Sequence, residues 1–122
     1  MLADAPVRVV SMNLCTDQLA MLLADQGQLV SVSRIASDPR SSAMADQAAD
    51  YPANSGLAEE VFLMQPDLVV AGSYTARASV DMLERLGIPV IRFKPATSLP
   101  DVRARIAQMG DALGQESRAA RM

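Results

Sequence analysis

Histidine and tryptophan are absent from this 122-residue chain, and there is one cysteine, Cys15. One thiol and no imidazole exclude a disulfide framework and a His/Cys zinc cluster, and they leave a cysteine nucleophile without its usual base. Cys15 is therefore expected as a small buried or half-buried residue. Aromatic side chains are scarce: Tyr51, Phe62, Tyr74 and Phe93 are the whole set, so the core must be built from Ala, Val, Leu, Ile and an adaptable complement of 8 Met. No apolar run approaches the roughly 20 residues that cross a bilayer. The start, Met1-Leu2-Ala3-Asp4-Ala5, lacks the basic end and apolar stretch of a secretory signal, which does not establish a cytoplasmic origin. A net charge of −3, with the cations scattered, offers no basic face to nucleic acid. Gly72-Ser73-Tyr74-Thr75 lacks phosphate-loop spacing and no G-x-S-x-G elbow occurs, so nucleotide and hydrolase chemistry have no support.

What the chain does contain is α/β winding in about four strands. The stretch Glu59-Glu60-Val61-Phe62-Leu63-Met64-Gln65 spaces its apolar residues like a helix, and Pro66 ends it by removing a donor and restricting Gln65. Leu68-Val69-Val70-Ala71 then forms a continuous apolar run closed by Gly72, the mark of a strand covered on both faces of a parallel sheet. Thr75 is placed to cap a helix from Ala76 to Leu86, Gly87 to stop it, and Pro89 to lead into a strand Val90-Ile91-Arg92-Phe93. Upstream, Val7 to Met12 reads as the first strand, with a helix carrying Leu19, Leu22 and Leu23 up to Gly27, and Leu29 to Ser33 as a weaker second strand. Between Arg34 and Gly56 periodicity disappears, which predicts a long excursion with one short helix near Ala43 to Ala49. Ser98 and Asp101 are spaced as a helix start, Val102, Ile106, Met109 and Leu113 form one stripe, and Gly114 closes it. A length of 122 residues suits one core.

With four parallel strands in the order 2-1-3-4, the order of winding reverses between the first and third, and ligands lie outside the carboxyl ends at such a point. That order brings Asn13 to Asp17 beside Gly72 to Arg77. Asn13, Thr16 and Asp17 are also good helix caps taken singly.

Three quoted segments carry a resemblance: V-R-V-V-S-M-N-L-C-T-D-Q-L-A-M-L-L-A-D (Val7 to Asp25), A-E-E-V-F-L-M-Q-P-D-L-V-V-A-G (Ala58 to Gly72) and L-G-I-P-V-I-R-F (Leu86 to Phe93). In this order they resemble the amino-terminal lobe of the substrate-binding proteins of ABC importers for ferric siderophores and cobalamin. The resemblance implies a non-enzymatic, periplasmic protein in which two α/β lobes flank a rigid helix and grip a metal chelate between them. Residues 1–114 would be the first lobe, and 115–122 the start of the connecting helix, cut short. It also implies docking on the permease dimer through an acidic residue at Glu59, with Glu60 beside it; by their position alone, both acids offset the amide dipoles of a first helical turn.

The ligand face is then expected to include Asn13, Leu14, Cys15 and Thr16, with Arg34, Tyr51, Ser73, Tyr74 and Arg77. The tyrosines offer flat amphipathic rings to a large, partly apolar guest, and the cations Arg34, Arg77 and Lys94 favour an anionic one. Ordinary loop packing and solvated charge are the plain alternatives for the same residues. No cofactor or bound metal of the protein's own is expected. Two other readings stay open: a small flavodoxin-like enzyme or regulator, and a lobe fragment that self-associates through the surface its missing half would cover.

Overall fold

The computed structural model describes residues 5–73, 75 and 77–122. Five parallel strands form one sheet: β1 (Val9–Ser11), β2 (Leu29–Ser33), β3 (Ala53–Asn54), β4 (Leu68–Gly72) and β5 (Val90–Phe93), in the spatial order β3-β2-β1-β4-β5. The expected order of four is present as β2-β1-β4-β5, and one strand more lies at the edge. That strand, β3, pairs with Val32 and Ser33 inside the excursion read as irregular. Two residues behind Pro52 are too short to show any alternation, so nothing in the pattern marked it.

Side-chain alternation assigns the layers. Val10, Val69 and Ala71 face α3 (Ala58–Leu63) and α4 (Arg77–Arg85), packing with Val61, Val80 and Leu83. Val9, Leu68, Val70 and Phe93 face α1 (Leu14–Leu23) and α5 (Leu99–Leu113), packing with Ala20, Leu23, Met109 and Leu113. Both faces of β4 are covered, and all five of its residues are buried. The short α2 (Ala45–Ala48) and terminal α6 (Glu116–Ala120) lie on the α1/α5 side, where Ala48 and Ala119 meet the core. In α5 the stripe tapers: Met109 and Leu113 are buried, Ile106 is half-buried and Val102 is exposed. Ser98 accepts from the Asp101 amide at 3.2 Å as expected of a cap, and Gly114 takes the left-handed conformation (φ 70°) that ends the helix.

The start of the sheet is clamped by polar groups. Asp67 accepts from the amides of Val7 (2.8 Å) and Arg8 (2.9 Å), so these residues leave the ladder, and β1 is shorter than the predicted Val7 to Met12. In return the Arg8 guanidinium donates to the carbonyls of Met64 (2.6 Å) and Gln65 (3.2 Å), satisfying the end of α3. Thr75 also departs from expectation: its hydroxyl accepts from the Gly72 amide at 2.9 Å, turned back onto β4, and α4 begins at Arg77.

Gln65 holds φ at 55°, the left-handed region, just before Pro66. A side chain there costs about 1–2 kcal/mol, against about 0.5–1 kcal/mol for the greater unfolded freedom of glycine. Gln65→Gly should therefore stabilise the fold by about 0.5–1 kcal/mol in urea denaturation, with an unchanged slope; a loss of stability would show that other contacts outweigh the backbone strain.

Candidate functional site

Asn13 sits where the strand ends converge. It leaves β1 in an extended conformation, and its side-chain oxygen accepts from the amides of Cys15 (2.9 Å) and Thr16 (3.3 Å), capping α1. This side chain lies directly over Gly72, the last residue of β4, where a Cβ would collide with it. The absence of a side chain at position 72 thus lets α1 start hard against the neighbouring strand.

Beneath this rim lies a layer of buried polar groups. The Ser11 and Thr16 hydroxyls bond at 2.7 Å, and Thr16 also donates to the Asn13 carbonyl at 3.0 Å. Asn54 reaches from β3 across the end of β2, donating to the Ser11 carbonyl (2.9 Å) and the Ser31 hydroxyl (3.1 Å). Asp17, fully buried, accepts from the Ser33 amide at 3.1 Å through Oδ1, while Oδ2 has no partner among the described residues. Burial pushes its carboxyl up to about 6 from an ordinary value of 3.8, although the Ser11 hydroxyl and the Ser33 amide and hydroxyl pull the other way.

Two cavities open on the rim, one on each side of Asn13. The first, about 440 Å³, lies over the ends of β1, β2 and β3 and is lined by Asn13, Leu14, Ser33, Arg34, Asn54 and Ser55, among others. Arg34 donates to the Ser55 hydroxyl at 3.0 Å, which holds its guanidinium at this mouth. The second, about 370 Å³, runs between α1 and α5 and takes in Asn13, Cys15, Thr16 and Ser73.

Of the expected ligand residues, Asn13, Leu14, Cys15, Arg34 and Ser73 stand together on this rim. Cys15 is exposed, not buried or half-buried as expected, because the first turn of α1 projects past the strand ends. Thr16 is fully buried with its hydroxyl committed inward, so it contributes floor and not a free polar contact. Tyr51 departs from the rim: it precedes β3 and packs on the core beside Ala48 and Val32. Arg77 is exposed at the start of α4 and lines neither cavity. Tyr74 lies outside the described residues. Away from the rim, Glu59 is exposed in the first turn of α3, whereas Glu60 is half-buried and accepts from the Ser55 amide at 2.8 Å. Sequence reasoning missed Ser33, Asn54 and Ser55, which border the first cavity. An asparagine inside an otherwise featureless excursion was the available signal.

Asp17 has a pH signature. Between 3.8 and about 6 the folded state keeps a proton that the unfolded state has lost, so stability is highest below 3.8 and falls as pH rises to about 6. Asp17→Asn should be more stable than the parent by about 2–3 kcal/mol at pH 7, from about 1.36 kcal/mol per pKa unit, and the gap should shrink toward zero at pH 4. Chemical denaturation across that range checks this, and a pH-independent gap would remove the buried charge as its cause.

With this geometry in hand, comparison with known proteins is specific. A family model described as periplasmic binding protein matches residues 9–122. The chain is 31% identical over 120 residues to a cobalamin-binding protein of Halobacterium salinarum, covering 98% of this chain and 32% of that protein. Its fold is similar to a possible iron-binding, periplasmic solute-binding protein from Staphylococcus epidermidis (TM-score 0.81, 18% identity, 97% of this chain and 46% of the other). It is also similar to the periplasmic vitamin B12 binding protein of Vibrio cholerae (TM-score 0.75, 18% identity, 96% and 45%). A periplasmic heme binding protein of Pseudomonas aeruginosa gives a TM-score of 0.74 at 22% identity, over 94% and 41%. The chain thus spans about a third of its curated relative and under half of these structures. A wound parallel sheet with one open rim, matched by the family along residues 9–122, makes this chain a member of the periplasmic binding protein family.

Proposed function

We propose that this chain forms one wall of a cleft that captures a large metal chelate, of the cobalamin, heme or ferric siderophore class, for delivery to an ABC importer. The observation that carries the reading is the cavity of about 440 Å³ over the ends of β1, β2 and β3, beside the point where strand order reverses between β1 and β4. It is open and mixed in character, as expected of half a grip on a bulky guest. Asn13 keeps an amide nitrogen that donates to no described group, and Arg34 supplies a held cation. Leu14 and Ile35 add apolar contact there, and Ser73, just past β4, borders the neighbouring cavity.

Residues 1–114 are the ligand-binding lobe in this reading, and 115–122 lead into a helix that joins it to a second lobe. The work is binding and release without covalent chemistry, outside the cytoplasm. Glu59, exposed on α3, is the group offered to the permease; Glu60, tied to the Ser55 amide, shapes the turn beside it.

Titration of the chain with aquocobalamin, hemin and a ferric siderophore tests the cleft. One of them should bind with Kd of roughly 10 μM–1 mM, and Arg34→Glu should weaken it about tenfold. If none binds, either to this chain or to the chain joined to its second lobe, the capture reading is wrong. Glu59→Arg should leave chelate affinity intact while slowing uptake in cells at least about tenfold, as expected of a reversed charge at an interface. Normal uptake would move docking elsewhere.

A further inference from the structure

The cavity between α1 and α5 has a chemistry that chelate capture does not use. Away from the rim the two helices close on each other, Ala20 and Leu23 packing with Met109 and Leu113. Toward the rim they part: Leu19 and Leu22 on one side face Val102 and Arg105 on the other across about 370 Å³, with Phe93 beneath. Leu22 is 47% exposed and Val102 40%, so aliphatic groups from the apolar stripes of both helices stand on open walls. The volume lies in the lower part of the roughly 300–1,000 Å³ typical of small-molecule sites.

Two cations belong to this cleft, Lys94 at its mouth and Arg105 along its wall. Ion pairs among the described residues involve Arg40 and Arg118, and neither Lys94 nor Arg105. Arg105 Nε is buried and has no hydrogen-bond partner among the described residues. Asp101, one turn earlier on α5, feels the Arg105 charge, but its carboxylate accepts from the Thr97 amide (3.1 Å) and hydroxyl (3.0 Å). A shielded donor on a cation is costly to leave unmatched, and a carboxylate meets the guanidinium fork with two parallel bonds. Inorganic phosphate would answer the charge yet leave the Leu19, Leu22 and Val102 walls wet. A neutral alcohol would do the reverse.

We propose that the α1–α5 cavity is a binding site for a small apolar monocarboxylate, its alkyl body against Leu19, Leu22 and Val102 and its carboxylate on Arg105, with Lys94 adding attraction at the mouth. It meets the rim only at its mouth, through residues such as Asn13 and Ser73, and requires nothing of the chelate reading.

Titrations of the isotope-labelled chain with octanoate, octanol and inorganic phosphate, followed by amide NMR, test it. Octanoate should shift Leu22, Val102 and Arg105 with Kd of about 1 mM, the affinity expected of about ten heavy atoms at modest efficiency, and octanol and phosphate should each bind at least about tenfold more weakly. Arg105→Met should cost octanoate about tenfold and leave octanol unchanged, provided the spectrum stays dispersed. Equal binding of octanoate and octanol, shifts confined to other residues, or no shifts at all would overturn the site, and the parent-chain comparison does not depend on the variant folding. Chelate titrations report on the rim separately, so either site can fail alone.

Discussion

The contact between Asn13 and Gly72 is the constraint on which the working end of this molecule depends. Parallel pairing sets Ser11 of β1 beside Val70 of β4, so two residues further on the chains must either part or touch. They touch because position 72 carries no side chain, and the Asn13 amide lies over it while capping α1. That contact sets the start of α1 against β4, and Asn13 stands between the two rim cavities, lining both. At the opposite end of the same strands, the exchange between Asp67 and Arg8 does the complementary job, tying the entrance of β1 to the end of α3.

Under the rim the protein buries a layer of polar groups in place of an apolar core. Ser11, Thr16, Asp17, Ser31 and Asn54 form a layer that is almost fully bonded, and four of its bonds join different elements: Ser11 to Thr16, Asp17 to Ser33, and Asn54 to Ser11 and Ser31. Such a layer fixes relative positions more sharply than interchangeable methyl groups do, because each donor accepts only one arrangement of neighbours. Asp17 is the member whose satisfaction is incomplete. Its raised pKa measures the resulting penalty, and makes acidification favourable to the lobe's fold.

Much of the architecture was legible residue by residue. Leu68 to Gly72 reads as a strand covered on both sides and Ser98 with Asp101 as a helix start, and the structure has both. The rim position of Asn13, Arg34 and Ser73 followed from strand order. Tyr51 was misplaced because a ring in a loop looks the same whether it faces outward or inward, and only the packing of α2 and β3 turned it to the core. Cys15 was misjudged for a related reason: its neighbours Thr16 and Asp17 are the buried pair, against the usual preference of polar residues for water.

Period and punctuation, which are local, determined four of the parallel strands and the helices between them, while the family was carried by the resemblance of three motifs in their order. Which side chains face one another across the rim was decided by tertiary structure alone, since Asn54 meets Ser11 and Arg105 comes near Leu22 only after distant segments pack. Hydrophobic spacing records which face of an element is covered, but not which partner covers it, because burial rewards area without regard to its source.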